Sequence, residues 1–352
     1  MRKYIKKLSK TAVLLVMVLT FLLSGCGKME AKEAENEHTE EMQMGYPLTL
    51  TDQIGREVVI EKEPQSIVSG YYISTSALIA LNQEDKLVGI ENDADKRPVY
   101  TYSNPEILEL PSLGTVKEFD LEECALLNPD LVVVPTKLEG VIPSLEALGI
   151  TVVVVNPENE ELLDEMIVLL GKATGSEELA YELLAYKAGK IKELQKALES
   201  EDLKKPGVYL AGNSSFLTTA GPLMYQHQLI QNAGGENVAA EITDTYWAEV
   251  SYEQVLKWNP EYIIIAADAS YTVEDVKNDK NLISCEAVKN GNIYKLPNIT
   301  EPLDSPVPGS FLGTLYIANV LHPESYSTDQ FEAIFEEFYE IFYQFTVEKN
   351  ND

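Results

Sequence analysis

The chain has 352 residues, 27 of them lysine or arginine against 57 aspartates and glutamates, for a formal net charge of −30. A field of that sign repels nucleic acid and anionic lipid, so neither is expected as a partner; acidity of this degree serves solubility and by itself names no ligand. The length, with 45% hydrophobic residues, exceeds what one core usually serves, and two lobes are expected.

Arg2, Lys3, Lys6, Lys7 and Lys10 make a basic start, and Thr11 to Leu23 an apolar stretch too short to cross a bilayer of about 30 Å as a helix. Residues 1–25 therefore read as a cleaved secretory signal, closed by Leu23-Ser24-Gly25-Cys26. That ending resembles the bacterial lipobox, whose cysteine is diacylated and becomes the new N-terminus. Cys26 is the expected lipidation site, and the mature protein is expected outside the cytoplasm, anchored to the cell membrane by lipid alone. An ordinary cleavage site with an incidental cysteine is the alternative. Residues 26–45 form a Glu-rich flexible linker that contains His38. Cys124 and Cys285 are expected as small buried hydrophobes in different lobes, not as a bridge. His227 and His322 alone cannot build a multi-histidine zinc or manganese site, and neither a resident metal nor a cofactor is expected.

Leu48-Thr49-Leu50-Thr51 and Glu57-Val58-Val59-Ile60 flank Asp52-Gln53-Ile54-Gly55, a hairpin signal with glycine at the turn. Short apolar runs then alternate with helical segments. Residues 67–69, 87–90, 131–134 and 152–155 read as buried parallel strands, separated by helices around 76–81, 121–127 and 142–148. An α/β lobe is expected over 46–175. A helix from Glu160 to Leu170 is expected to break at Gly171 and Gly175, and a long amphipathic helix over 176–200 would run roughly 36 Å. Pro206-Gly207 ends it. A second α/β lobe follows over 206–347, with strands at 208–211, 262–265 and 292–296 and helices at 312–321 and 329–345. Phe331, Phe335, Phe338, Phe342 and Phe345 on the last helix read as a core-facing stripe.

Residues 122–134, from Glu122 through Asn128-Pro129-Asp130 to Val134, match residues 253–265, from Glu253 through Asn259-Pro260-Glu261 to Ile265, at a constant offset of 131. Each copy predicts a short helix beginning near the glutamate, a stop at Asn-Pro, an acid and a buried strand. Two such copies argue for two lobes of like construction related by duplication. Glu122 and Glu253 either complement the positive helix N-terminus or mark, one per lobe, a surface for a two-fold partner.

These residues resemble the cluster III (cobalamin, siderophore and haem type) substrate-binding lipoproteins of ABC importers. The likeness runs from about Thr51 to the last helix. It rests on Asp52-Gln53-Ile54-Gly55-Arg56, Asp85-Lys86-Leu87-Val88-Gly89, the two glutamate copies, Leu145-Glu146-Ala147-Leu148-Gly149-Ile150, Asn232-Ala233-Gly234-Gly235-Glu236-Asn237-Val238, Ala287-Val288-Lys289-Asn290-Gly291-Asn292-Ile293-Tyr294 and His322-Pro323-Glu324, in this order behind the Leu-Ser-Gly-Cys ending. The resemblance implies a class III periplasmic-binding-protein fold, two Rossmann-like lobes joined by one long interlobe helix. It also implies a ligand in the cleft and a permease dimer with its ATPase as partner, docked through Glu122 and Glu253. We expect a monomer and no enzymatic activity.

In open α/β sheets ligands sit beyond the carboxyl ends of the strands, so the loops after Ser69, Ile90, Pro135, Ala211 and Leu296 should line the cleft. The candidates are Tyr71, Tyr72, Arg97, Tyr100, Lys137, Asn213, Ser214, Tyr246, Trp247 and Asp304. Aromatic rings offer flat area to a macrocycle or chelate, and phenol oxygens could ligate ferric iron; part of the set is expected to be loop packing. Arg97 and Lys137 suit an anion or are simply solvated. Glu301-Pro302-Leu303-Asp304-Ser305-Pro306 stands where many siderophore binders of the family cluster arginines. An iron complex of siderophore or haem type is the expected ligand, with a corrinoid or a molybdate-type oxyanion as alternatives. An α/β enzyme using the cleft is the rival class, but the chain has no Gly-x-Ser-x-Gly elbow, no P-loop and no Gly-x-Gly-x-x-Gly after a strand.

Overall fold

A computed structural model describes residues 45–199 and 204–347; the signal, Cys26 and the linker up to residue 44 lie outside the described residues. β1 (Leu48–Thr51) and β2 (Glu57–Ile60) pair antiparallel, Leu48 opposite Ile60, around a turn in which Gly55 takes a φ of +82°. Buried Asp52 fixes the turn. Its carboxylate accepts from Arg56 Nε and Nη2 at 3.0 and 2.9 Å and from the amide of Val154 at 3.3 Å, which ties the hairpin to the first lobe.

That lobe runs β3 (Ile67–Ser69), α1 (Tyr72–Ala80), β4 (Leu87–Gly89), α2 (Pro98–Ser103), α3 (Leu121–Leu127), β5 (Leu131–Pro135), α4 (Ile142–Ala147) and β6 (Thr151–Val155). The strands form one parallel sheet in the order β4-β3-β5-β6. Both faces are covered, which is why β5 and β6 read as unbroken valine runs and why each buries all or nearly all of its side chains.

α5 (Glu160–Thr174) does not break at Gly171. α6 (Glu177–Ala197) crosses there so closely that a Cβ on Gly171 would lie 2.7 Å from the Cβ of Ala180; the glycine is a packing residue, and only Gly175, at φ +78°, ends the helix. At 21 residues α6 runs about 31 Å, a turn shorter than the sequence suggests. Buried Lys187 bolts it to α5 through Asp164 at 2.6 Å and Glu160 at 3.1 Å.

The second lobe runs β7 (Gly207–Ala211), β8 (Thr218–Ala220), α7 (Tyr225–Asn232), β9 (Glu236–Asn237), β10 (Trp247–Glu249), α8 (Tyr252–Trp258), β11 (Tyr262–Ile265), α9 (Val273–Lys277), α10 (Glu286–Asn290), β12 (Ile293–Lys295), α11 (Phe311–Leu321) and α12 (Thr328–Phe342). Its parallel sheet has the order β12-β11-β7-β9, and β8 pairs antiparallel with β10 beside it. A Ser327/Gln330 capping box starts α12, whose Phe331, Phe335, Phe338 and Phe342 are buried. The helix stops three residues before Phe345, which instead packs on Tyr102 and Tyr339 at centroid distances of 5.3 Å each.

The repeat has one local structure in both lobes. Asp120 and Ser251 cap α3 and α8, and Asn128 and Asn259 end them in the left-handed conformation, each at φ 46°. The stop is thus the asparagine, which tolerates that conformation, with proline following. The next acid fastens the neighbouring strand: Asp130 accepts from the amides of Gln65 and Ser66 at 2.9 and 3.2 Å ahead of β3, and Glu261 from the amide of Gly207 at 3.2 Å on β7.

One apolar core passes from β3 and α1 through α5 and α6 to α7, α11 and α12, while each sheet's other face has a cluster of its own. Cys124 lies in the first of these outer clusters and Cys285 in the second, both free and buried. Buried Glu301 adds a polar tie across the junction, accepting from Ser76 on α1 and from Tyr339 and Tyr343 at 3.1 and 3.2 Å.

Candidate ligand-binding site

A cavity of about 400 Å³ opens at the carboxyl ends of the first-lobe strands. Its walls come from four successive strand exits: Gly70, Tyr71 and Tyr72 after β3, Glu91 to Asp93 after β4, Thr136 and Lys137 after β5, and Asn156 to Glu158 after β6. The segment Gly114 to Val116 closes one side. Gly114 is required there, since its φ is +86° and a Cβ would fall 2.0 Å from the carbonyl oxygen of Glu118.

Four of the candidate residues, Tyr71, Tyr72, Arg97 and Lys137, line this cavity. The two tyrosine rings meet edge to face, 5.3 Å apart at 75°, and the Arg97 guanidinium stacks 4.2 Å above the Tyr72 ring. Burial pushes both phenols above the usual tyrosine range, and carboxylates on either side, Glu158 near Tyr71 and Asp304 and Asp268 near Tyr72, push the same way. This opposes the phenolate form that direct ligation of ferric iron requires. The rings line the cavity as apolar surface.

The other six candidates are placed elsewhere. Tyr100 is buried behind the cavity because α2 turns it inward, and its hydroxyl donates to Glu91 Oε1 at 2.6 Å. Asp304 is buried as well, only 2% exposed, with its carboxylate accepting from the amide of Ala267 at 3.3 Å. Asn213, Ser214, Tyr246 and Trp247 are exposed but lie outside the cavity wall. The β8–β10 pair folds the turn after β7 back on itself, with Trp247 packed over Gly212, where a Cβ would meet Trp247 Cζ3 at 2.8 Å. The second lobe reaches the site instead through the loop after β11, where Asp268 pairs with Arg97 at 3.8 Å.

Glu91 is a cavity-lining residue that strand-exit reasoning missed. It lines the cavity, is only 7% exposed and is gripped from behind by Thr75, whose hydroxyl donates to Oε2 at 2.6 Å, and by Tyr100 on Oε1. Burial raises its carboxyl pKa, while those two hydrogen bonds and the charge of Arg97 pull it back. Glu122 and Glu253 stand exposed in the first turns of α3 and α8. Among the described residues no group of three or more His, Cys, Asp or Glu is arranged to hold a metal ion.

A family model described as periplasmic binding protein matches residues 67–300, which takes in both sheets, the helix between them and every wall of the cavity. The chain belongs to the periplasmic binding protein family. YvrC of Bacillus subtilis, an ABC transporter substrate-binding lipoprotein, is 25% identical to this periplasmic binding protein over 79% of this chain and 87% of its own length. MolA of Haemophilus influenzae, a molybdate-binding protein, is 23% identical over 86% of this chain and 92% of its own. A periplasmic solute binding protein from Veillonella parvula superposes with a TM-score of 0.75 at 26% identity, covering 86% of this chain and 94% of that one. The expected architecture, two α/β lobes joined by a long helix in the class III manner, is the one observed.

Proposed function

We propose that this periplasmic binding protein captures an iron complex of siderophore or haem type in the first-lobe cavity and delivers it to an ABC importer. It works outside the cytoplasm with a permease and an ATPase. The observation that carries the ligand reading is the cavity itself. Tyr71, set edge to face against Tyr72, and the Arg97 guanidinium stacked on Tyr72 give an aromatic and cationic wall to a cavity of the size a chelate needs, and Asp268 brings the second lobe to its mouth. In this reading Glu122 and Glu253 dock the permease dimer, one from each lobe, and their recurrence at one offset in an identical local structure supports it. The protein acts as a monomer held to the membrane by lipid on Cys26.

The test is a titration, followed by protein fluorescence and calorimetry, with a ferric trihydroxamate, haemin, aquocobalamin and molybdate. Saturable one-to-one binding of an iron complex supports the reading. Binding of the corrinoid or of molybdate alone replaces it with the corresponding alternative, for which MolA is a precedent on this fold.

A further inference from the structure

We infer that the cavity selects a positively charged chelate, and that Glu91 is the residue that reads the charge. The inference rests on the cavity being the ligand site, as proposed above. Three carboxylates line the wall, those of Glu91, Asp93 and Glu158, against two cations, Arg97 and Lys137. The cations are not equivalent. Arg97 is already engaged, stacked on Tyr72 and paired across the cleft with Asp268, and it reaches Glu91 only through space, with no ion pair between them. Lys137 is exposed at the rim, where water screens it. Of the acids, Asp93 is paired with Lys96 at 2.9 Å, and Glu158 is exposed.

Glu91 differs from all of these. Thr75 and Tyr100 hold its two oxygens from behind, one neutral hydroxyl on each, and among the described residues no lysine, arginine or histidine forms an ion pair with it. A carboxylate oxygen accepts more than one hydrogen bond, so each retains capacity on its cavity side. A buried carboxylate without a counter-ion is costly, and a cation placed against it restores what burial took away. An anion brought to the same wall meets repulsion that little solvent screens. The structure therefore rewards an ammonium group, or a chelate of net positive charge, and penalises a carboxylate-rich one.

The experiment uses one scaffold at three charges: a linear ferric trihydroxamate with a free terminal ammonium, the same chelate N-acetylated, and the same chelate N-succinylated. Each is titrated into wild-type protein and into Glu91→Gln at low and high salt. We expect the ammonium form to bind at least about tenfold more tightly than the acetylated form, with the succinylated form weaker again, and Glu91→Gln to remove most of that spread. Added salt should weaken the ammonium form and strengthen the succinylated one. The affinity order in wild-type protein at high salt, where the field of a chain of net charge −30 is screened and groups at the wall still act, stands as a test even if Glu91→Gln fails to fold. Equal affinities for the three forms, or a preference for the anion, overturn the charge reading and leave the chelate-binding reading intact. Loss of the spread in Glu158→Gln but not in Glu91→Gln overturns the assignment to Glu91. If none of the three forms binds, and haemin, aquocobalamin and molybdate do not bind either, the proposed function falls and this inference with it.

Discussion

Asp304→Asn should make the protein more stable near neutral pH, although it removes a charge from a polar loop. The Asp304 carboxyl is almost wholly enclosed, and it accepts a hydrogen bond from the Ala267 amide at 3.3 Å. Burial pushes its pKa up from 3.8 to about 6; Asp268 adds to the rise, and the Ala267 amide and the charge of Lys295 offset part of it. Because the folded state holds this proton more tightly than the unfolded chain, the group favours folding most fully below pH 4, and the benefit is lost as pH rises through about 6. At pH 7.5 the ionised side chain therefore costs the fold roughly 3 kcal/mol relative to its protonated form. Asparagine keeps the acceptor for Ala267 and removes the charge, but its amide brings donors that need partners, at about 1–3 kcal/mol if they find none. The expected net effect at pH 7.5 is a gain of about 1 kcal/mol, with a flatter stability profile between pH 4 and 6. Urea denaturation of both proteins at pH 4.5, 6 and 7.5 measures this. Parallel pH profiles for the two would show that Asp304 does not titrate with a raised pKa, since Glu91 and Glu301, also raised by burial, contribute equally to both.

Asp52→Ala leaves the turn amides of Ile54 and Arg56 without their acceptor, while the Arg56 guanidinium keeps Glu146 and the Val152 carbonyl, and should cost about 1–3 kcal/mol in the same urea assay; no measurable loss would contradict the role given to Asp52. Gly114→Ala should destabilise by at least about 2 kcal/mol and weaken chelate binding more than its stability loss explains, because the clash with Glu118 displaces the segment that walls the cavity. Replacing Glu122 and Glu253 together with alanine should lower stability by no more than about 1–2 kcal/mol and leave ligand affinity unchanged, while uptake in reconstituted vesicles falls sharply. Wild-type uptake by the double variant would remove docking from their account.

The parallel strands were legible because a sheet covered on both faces needs side chains that are apolar in both directions, and Leu131 to Val134 and Val152 to Val155 have no other use. The duplicated helix-to-strand unit was legible for a similar reason, since capping residue, asparagine stop and buried strand recur together. What local pattern could not carry was determined by packing. Gly171 reads as a breaker until the crossing of α6 is known, and Tyr100 and Asp304 read as cleft residues until α2 and the loop after β12 turn them inward. Trp247 and Tyr246 read as site residues from sequence because the antiparallel β8–β10 pair, only three residues on each side, gives too short a signal to predict. Glu91 lies one residue past Ile90, inside the strand exit that was identified, yet a lone glutamate carries no mark of burial; only the hydroxyls of Thr75 and Tyr100 reveal it.

Thr136→Trp asks whether the ligand occupies the first-lobe cavity. Thr136 lines the cavity partly exposed, so an indole there narrows the roughly 400 Å³ space without entering the core. Calorimetric titration with whichever chelate wild-type protein binds should show affinity reduced by about a hundredfold or more in the variant, with its melting temperature close to wild type. Wild-type affinity in a folded Thr136→Trp protein would place the ligand elsewhere and contradict the account.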